Sequence, residues 1–260
     1  MSRKIRHVTA LGGKALEILA TGRQARIMGA TSRGLFLQTG GPDIDAWLCF
    51  VSWEPWRGPL TLNVPERVVG MGPGDPARLG PGRLVLPGVD LEWSADGLWE
   101  PGPPPPSDSD PGRRRARART LLVEAERRDR RSALAHLLDG TRPLEATSLL
   151  GLGPGLTPSG DDLLLGALLV RARRTAPGVP TGAGVAEGPT GARLADLLRE
   201  ARRRTTTLSA NLLEMAHQGR ADERLVNLAD HINAGSPCDA AFLDWGAHSG
   251  VDVLLGMALE

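Results

Sequence analysis

The pattern of apolar positions along the chain changes near residue 100. Before that point, apolar runs are short and are broken by Gly and Pro, whereas later ones recur at helical spacing. Short apolar runs between turn residues are typical of strands, and the helical spacing indicates amphipathic helices. We therefore predict an α+β fold, with a β-rich, barrel- or sandwich-like N-terminal part and an α-helical C-terminal part.

Three segments follow from this change. Residues 1–100 form the predicted β-rich domain, with strands at 25–28, 34–38, 46–51, 60–64, 83–86 and 89–93. Residues 101–112 are rich in Pro and predict an exposed linker, because Pro removes backbone donors and fixes φ. Residues 113–260 form the predicted helical domain. Its helices are expected at 113–138, ending before Gly140, and at 143–150, 161–174, 192–203, 208–218, 222–232, 237–245 and 250–259, with a loop at 175–191.

Two segments of the helical part resemble each other and predict a duplicated helical unit. Ser159, Gly160, Asp162 and Gly166 in one copy align with Ser249, Gly250, Asp252 and Gly256 in the other. A Ser followed three residues later by Asp is similar to a capping box, in which the two side chains bond the first helical amides. Small residues one turn later predict that the two helices cross closely at Gly166 and Gly256.

The first copy is preceded by a glycine-rich loop, from Gly151 to Pro158, which exceeds what capping requires. Glycines at 151, 153 and 155 let the backbone turn sharply and approach a ligand. Thr157 and Ser159 add hydroxyls, and the loop leads into a helix N-terminus, where free amides and the dipole favour an anion. The loop thus predicts a phosphate or carboxylate site that includes Gly160.

Asp161 and Asp162 complicate a simple anion site, since carboxylates repel phosphate. Either Mg²⁺ bridges them, or one carboxylate points away or accepts from an amide NH₂ of the ligand. The loop lacks both the glycine spacing of a dinucleotide site and the Lys of a phosphate-binding P-loop.

Further candidates lie in the second half of the helical part. One of Thr205, Thr206, Thr207 and Ser209 is expected to cap a helix, and the others to line the site. His248 is a candidate acid–base or orienting group, or else a packed or surface residue. Arg204 is the arginine we expect to face an anionic ligand, and Asn211 either bonds an amide substrate or faces solvent.

Composition narrows the class of protein. A net charge of +1 and a scarcity of aromatic residues argue against nucleic-acid binding, so the Arg clusters are interpreted as solvated helix faces. Two cysteines far apart argue against a disulfide framework or a structural zinc site. No signal peptide or membrane-spanning segment is recognised, which makes the cytoplasm the expected location.

Three motifs resemble one bacterial family. They are the loop Gly151–Asp162, the segment Arg204–Leu213 continuing to Gly219, and Gly246–Asp252 with Gly256. They resemble the motifs of the AllH family. Its members include a subunit associated with oxamate carbamoyltransferase in anaerobic allantoin degradation, which is a route of purine catabolism. The resemblance is strong over residues 148–257 and only general over the β-rich half.

The resemblance implies a reaction of carbamoyl phosphate with oxamate, giving oxalurate and phosphate, or the reverse, in a complex with partner subunits. On this hypothesis the loop holds phosphate, and the catalytic residues are Asp161, Asp162, Asp252 and His248. The ligand-binding set is Gly153, Gly155, Thr157, Ser159, Gly160, Arg204, Thr205, Thr206, Thr207, Ser209, Ser249 and Gly250. Two alternatives stay open: a non-catalytic scaffold or regulatory subunit that binds a small anion and partner chains, and a Mg²⁺-dependent nucleotide phosphotransferase.

Overall fold

A computed structural model describes residues 4–21, 24–39, 46–135, 145–174 and 189–260, with 189–192 as backbone only. Its contacts divide the chain into two compact units, Met1–Glu100 and Pro101–Glu260. None of the helices in these ranges combines the length and apolar character needed to cross a bilayer. Both cysteines are free thiols, and burial raises the pKa of Cys49 to about 12.

The first unit is a ten-stranded mixed sheet curled into a half-barrel, in the order β1-β9-β8-β7-β3-β4-β5-β6-β2-β10. It also holds one helix, α1 (Gly13–Thr21), and a 3-10 turn, Ala95–Gly97. The strands are β1 (Lys4–His7), β2 (Ala10–Gly12), β3 (Gln24–Ala30), β4 (Gly34–Thr39), β5 (Trp47–Ser52), β6 (Thr61–Asn63), β7 (Pro76–Gly80), β8 (Arg83–Leu86), β9 (Val89–Glu92) and β10 (Leu98–Trp99).

Alternation of apolar and polar positions explains which strands were predictable. In β3, Ala25 and Ile27 are buried between exposed neighbours, as in a strand with one face on the core. All six predicted strands are present, with ends shifted by at most two residues. β1, β2, β7, β10 and α1 were missed. β1 and β10 are the outermost strands of the sheet, and β1 is largely exposed and basic, so neither carries a clear alternating pattern.

The second unit is helical and packs around one apolar core. The predicted order of β-rich and helical parts is therefore correct. Besides a 3-10 helix, Ala240–Asp244, the described helices are α2 (Pro111–Arg127), α3 (Ala146–Leu149), α4 (Ser159–Ala172), α5 (Pro189–Arg204), α6 (Thr207–His217), α7 (Glu223–Ala234) and α8 (Ser249–Leu259). The predicted helix at 237–245 is thus a shorter 3-10 helix, and the predicted loop at 175–191 is wrong for 189–191. The rest of that loop, with Gly140 and Pro143, lies outside the described residues.

The Pro-rich segment 101–110 forms no helix or strand, as expected, but it is partly buried against the helical unit. The buried Arg173 donates to the carbonyl of Gly102 at 3.2 Å and forms a bidentate ion pair with Asp230. The amide of Asp108 donates to the Asn233 carbonyl at 2.7 Å. The segment is therefore a strap held by hydrogen bonds rather than an exposed linker. Helix α2 begins at Pro111, inside the range 101–112 predicted for the linker, and Asp110 caps it.

The predicted end of the first long helix is also wrong. α2 stops at Arg127, and the next turn closes with Asp129 N–H on Glu126 O at 2.9 Å and Arg130 N–H on Ala125 O at 2.9 Å. This pair of bonds is the Schellman arrangement, whose central residue adopts the left-handed conformation. Asp129 does so with a φ of 57°. The stop signal is therefore an aspartate, where glycine is the usual residue.

Replacing that aspartate should stabilise the helical unit. We expect Asp129→Gly to raise the free energy of unfolding by about 1 kcal/mol, because glycine has no Cβ to strain the left-handed conformation. Denaturant unfolding measures the change. Asp129→Ala is the control, because it removes the same carboxylate and keeps the strain. A gain from alanine equal to that from glycine would contradict the explanation.

Candidate functional site

The two halves of the duplicated unit, α4 and α8, cross at their predicted glycines. A Cβ on Gly166 would lie 2.0 Å from the Val253 carbonyl oxygen, and one on Gly256 would lie 1.9 Å from the Leu163 carbonyl oxygen. Only glycine permits this backbone approach, so the predicted close crossing is confirmed. The two contacts are reciprocal, since each glycine meets the carbonyl of the residue three positions before the glycine of the other helix.

A second pair of glycines repeats the relation at the start of each helix. A Cβ on Gly160 would lie 2.1 Å from Leu149 O in α3, and one on Gly250 would lie 2.0 Å from Phe242 O in the 3-10 helix. Each copy therefore consists of a short helix, a turn and a longer helix that begins with Ser-Gly. An approximate twofold relation links the two copies and brings their N-termini together.

The predicted capping boxes are wrong in both copies. The N-cap positions are occupied by Pro158 and His248, and neither helix has a side-chain cap. Carbonyls of the preceding turns take the amides instead, since Gly160 N–H donates to Leu152 O and Gly250 N–H to Trp245 O, each at 2.9 Å. The serine and aspartate side chains are thereby left to make contacts between the helices.

Asp162 and Asp252 face the opposite helix and are buried, with 2% and 1% of their surface exposed. Burial raises the pKa of Asp162 to about 8, and the charges of Asp252 and Asp161 act in the same direction. Hydrogen bonding to Ser249 and Thr157 opposes this rise in pKa. For Asp252, burial again raises the pKa, opposed by hydrogen bonding to Ser132 and Ser159 and by the charge of His248.

The contacts of this carboxyl pair are reciprocal. Asp162 lies against Ser249 of α8, and Asp252 lies against Ser159 of α4. The hydroxyls of Thr157 and Ser249 are 3.0 Å apart. Asp162 Oδ2 and Asp252 Oδ1 are both buried and have no hydrogen-bond partner in the described ranges. Buried polar atoms are rarely left without a partner, so these two oxygens are available to a ligand or water.

Asp161 occupies a different environment. Its Oδ1 accepts from the amide of Gly151 at 2.9 Å, and its Oδ2 accepts from the hydroxyl of Thr205. Both oxygens hold the start of the loop against the turn between α5 and α6. The arrangement gives Asp161 a structural part in positioning the loop.

We expect Thr205→Val to lower the free energy of unfolding by about 1–3 kcal/mol, because it leaves a buried carboxylate oxygen without its donor. Thr207→Val is the matched control, since Thr207 belongs to the same run and its side chain is exposed. Parallel denaturant titrations compare the two. Equal effects of both substitutions would contradict this account of Asp161.

The glycine-rich loop is exposed from Leu152 to Leu156, and its backbone requires glycine. Gly151, Gly153 and Gly155 have φ values of 73°, 112° and 101°. The Leu156 carbonyl anchors the loop, since it accepts from the Thr206 hydroxyl at 2.6 Å and from the Ser209 hydroxyl at 3.4 Å. Thr206 also caps α6, as predicted for one residue of this run.

The amides available to an anion are not those we expected. The N–H groups of Gly160, Asp161 and Asp162 are all bonded to carbonyls of Leu152 or Pro158. Within the described ranges, the N–H groups of Gly153, Gly155, Leu156, Thr157 and Ser159 make no hydrogen bond. Free donors thus lie mainly in the loop, and the helix start contributes only Ser159.

Some of the remaining predicted site residues do not join the loop or the carboxyl pair. Arg204 donates to the Thr147 carbonyl at 2.7 Å, so its side chain lies along α3. Thr207 is exposed, and so is His248 beside Ser249. Asn211 is completely buried in α6, so the solvent-facing alternative is wrong.

Two contributors were missed. Ser132 reaches Asp252 from the segment after α2, and Arg130 donates to the Ala247 carbonyl at 2.6 Å. Arg130 belongs to the Arg cluster at 127–131 that we interpreted as a solvated helix face, and Ser132 directly follows that cluster. Their distance in sequence from the duplicated unit gave no local signal.

The structure offers little support for the metal suggested at Asp161 and Asp162. The described residues contain no group of three or more His, Cys, Asp and Glu that could hold a metal ion. Both oxygens of Asp161 already accept protein donors.

Comparison with known families supports the resemblance. The model of the family described as "Oxamate carbamoyltransferase subunit AllH" matches residues 149–260. This range holds the glycine-rich loop, α4, α6 and α8, and it confirms the resemblance for this part of the chain. No significant match was found among curated proteins or solved structures.

Proposed function

We propose that this chain is a subunit of a carbamoyltransferase-type enzyme and binds carbamoyl phosphate and oxamate, or a related small amide or carboxylate, beside the loop 151–158. The observation that carries the proposal is the family match over residues 149–260. That range contains both the exposed loop amides and the buried carboxyls at the α4–α8 junction. The matched family is described as an enzyme subunit, so this chain is expected to act together with partner chains.

The loop amides are suited to the phosphate end of the substrate. Gly153, Gly155, Leu156 and Thr157 present N–H groups without protein acceptors, in a backbone fixed by Asp161 and Leu156. Preorganised amides stabilise negative charge without reorganising during the reaction. They would neutralise the phosphate as its bond to the carbamoyl carbon breaks. The oxamate nitrogen forms a bond to that carbon and passes one proton to the departing phosphate, which gives oxalurate and hydrogen phosphate.

The carboxyl pair is suited to orienting the other end of the substrate. With its pKa near 8, Asp162 is largely neutral at neutral pH and does not repel an anion. His248 lies close enough to influence the pKa of Asp252 and is exposed, so it is placed to exchange a proton with solvent. The Ser159 and Ser249 hydroxyls complete the polar surroundings.

A second candidate is a scaffold or regulatory subunit that binds an anion but does not catalyse. It is favoured by Leu152 and Leu156, two apolar side chains of the loop with exposed fractions of 45% and 59%. Exposed apolar residues around a binding loop fit contact with a partner chain. No observation in the described residues favours the nucleotide phosphotransferase.

Ligand-dependent thermal stability tests the proposal on the full chain. Phosphate, carbamoyl phosphate, oxamate and ATP are titrated with and without Mg²⁺ against the wild type and Gly155→Val. We expect carbamoyl phosphate to stabilise the wild type without Mg²⁺, by about 2.7 kcal/mol at a hundred times its dissociation constant. The valine variant should lose this stabilisation, because the φ of 101° at position 155 is unsuited to a β-branched residue. Stabilisation by ATP and Mg²⁺ alone would contradict the proposal.

A further inference from the structure

A cleft of about 590 Å³ opens in the helical unit, beside the second copy of the duplicated unit. One wall is the turn after α2, with Arg128 and Arg130. The other wall is the 3-10 helix Ala240–Asp244 with its cap residue Asp239. None of the lining residues belongs to the glycine-rich loop or to the carboxyl pair. The volume is within the range of sites for small molecules, so the cleft is a candidate second binding site.

The first wall carries a cation without a counter-ion. Arg130 donates to Ala247 O at 2.6 Å, and within the described ranges it forms no ion pair. Arg128 uses its Nε for Glu124, at 2.9 Å. A guanidinium has five N–H donors, so both side chains keep donors for an anion. Between them lies Asp129, the only described non-glycine residue with a positive φ, and strained residues of this kind cluster at ligand sites.

The second wall carries the opposite charge and some apolar surface. Asp239 and Asp244 both line the cleft, together with Leu243 and the first two alanines of the 3-10 helix. Asp239 Oδ1 accepts from the Ala241 amide at 2.8 Å, which leaves the other carboxylate oxygen for a ligand. Among the described residues, no ion pair joins the two walls. An occupant that carries both charges would neutralise both walls at once.

We infer that the cleft binds a small zwitterion, an α-amino acid with a short aliphatic side chain. Its carboxylate pairs with Arg128 and Arg130, and its ammonium group pairs with Asp239 and Asp244. A simple anion would be attracted by one wall and repelled by the other, and a simple amine likewise. The site borders the candidate functional site, because Arg130 also holds the carbonyl directly before His248.

Calorimetric titration of the full chain with matched ligands tests this inference. The probes are L-alanine, L-leucine and two analogues of leucine: isoamylamine, which lacks the carboxylate, and 4-methylpentanoate, which lacks the ammonium group. We expect leucine to bind at least about tenfold more tightly than either analogue, because each analogue leaves one charged wall unpaired.

Two variants remove one charge each and keep the local hydrogen bonds. Arg130→Gln retains a side-chain N–H for the Ala247 carbonyl, and it should bring the affinity for leucine close to that for isoamylamine. Asp239→Asn retains the oxygen that caps the 3-10 helix, and it should bring the affinity for leucine close to that for 4-methylpentanoate. A misfolded variant would instead lose all the ligands together.

Two control variants should leave leucine binding unchanged. Arg127→Gln alters the same Arg cluster at a side chain that is 74% exposed and does not line the cleft. Gly155→Val alters the glycine-rich loop, so it separates this site from the loop.

Three results would overturn the inference. They are absence of binding by both amino acids, equal binding of leucine and its analogues, and a loss in either control as large as in Arg130→Gln. Binding of carbamoyl phosphate at the loop is measured separately, so the proposed function stands or falls on its own.

Discussion

Gly166→Ala should destabilise the helical unit by about 3 kcal/mol or more, the upper end of what overpacking a core costs. The added Cβ would meet the Val253 carbonyl oxygen at 2.0 Å. That atom belongs to the backbone of α8 and cannot move aside as a flexible side chain would. The helices must separate, although alanine is intrinsically the better helix former by about 1 kcal/mol.

The second copy of the duplicated unit offers an equivalent substitution, and the Pro-rich strap offers a control substitution. Gly256→Ala should cost about as much, because its Cβ would meet Leu163 O at 1.9 Å. Gly102→Ala lies in the same unit with nothing within 4 Å of the new Cβ, so its effect should stay within about 0.5 kcal/mol. Denaturant unfolding followed by far-ultraviolet circular dichroism compares the three. Neutral effects at 166 and 256 would show that the helices do not cross at these glycines.

The stability of the helical unit should fall as pH rises from about 4 to about 8. The folded state holds the proton of Asp162 up to a pKa of about 8, whereas the unfolded chain releases it near 3.8. In this window the folded state binds one more proton, so the free energy of unfolding falls by up to about 1.4 kcal/mol per pH unit. The contribution is fully present below pH 3.8 and is lost above pH 8. The raised pKa of Asp252 acts in the same direction.

Asp162→Asn isolates this effect, because asparagine is neutral at every pH and similar in shape. The difference in unfolding free energy between the variant and the wild type should shift in favour of the variant as pH rises through the window. Titrating groups that do not interact with Asp162 cancel in that difference. A difference that stays constant from about pH 5 to pH 8 would show that Asp162 is ionised throughout, and that its burial does not raise its pKa.

The sequence could predict features that depend on local pattern or on repetition. The central strands follow from alternation, and the crossing of α4 and α8 follows from Gly166 and Gly256 at matching positions. The positive φ of Gly153 and Gly155 agrees with the turns expected of the loop. Thr206 as a helix cap also required only the residues around it.

Features that depend on tertiary contacts could not be predicted. Ser159 and Asp162 have the spacing of a capping box, but the Leu152 carbonyl takes the amide of Gly160 first. The local sequence does not distinguish Asp161, whose two carboxylate oxygens both accept hydrogen bonds, from Asp162, whose Oδ2 has no partner in the described ranges. Ser132 reaches Asp252 only because the chain turns after α2.

The loop amides at 153–157 are expected to bind the anionic end of the substrate, and backbone amide NMR tests this most directly. Carbamoyl phosphate is titrated into the labelled full chain while the amide resonances are followed. We expect the amide resonances of Gly153, Gly155, Leu156 and Thr157 to shift first and most, with one common dissociation constant. Saturable binding that leaves these four resonances unmoved would contradict it and place the anion elsewhere on the chain.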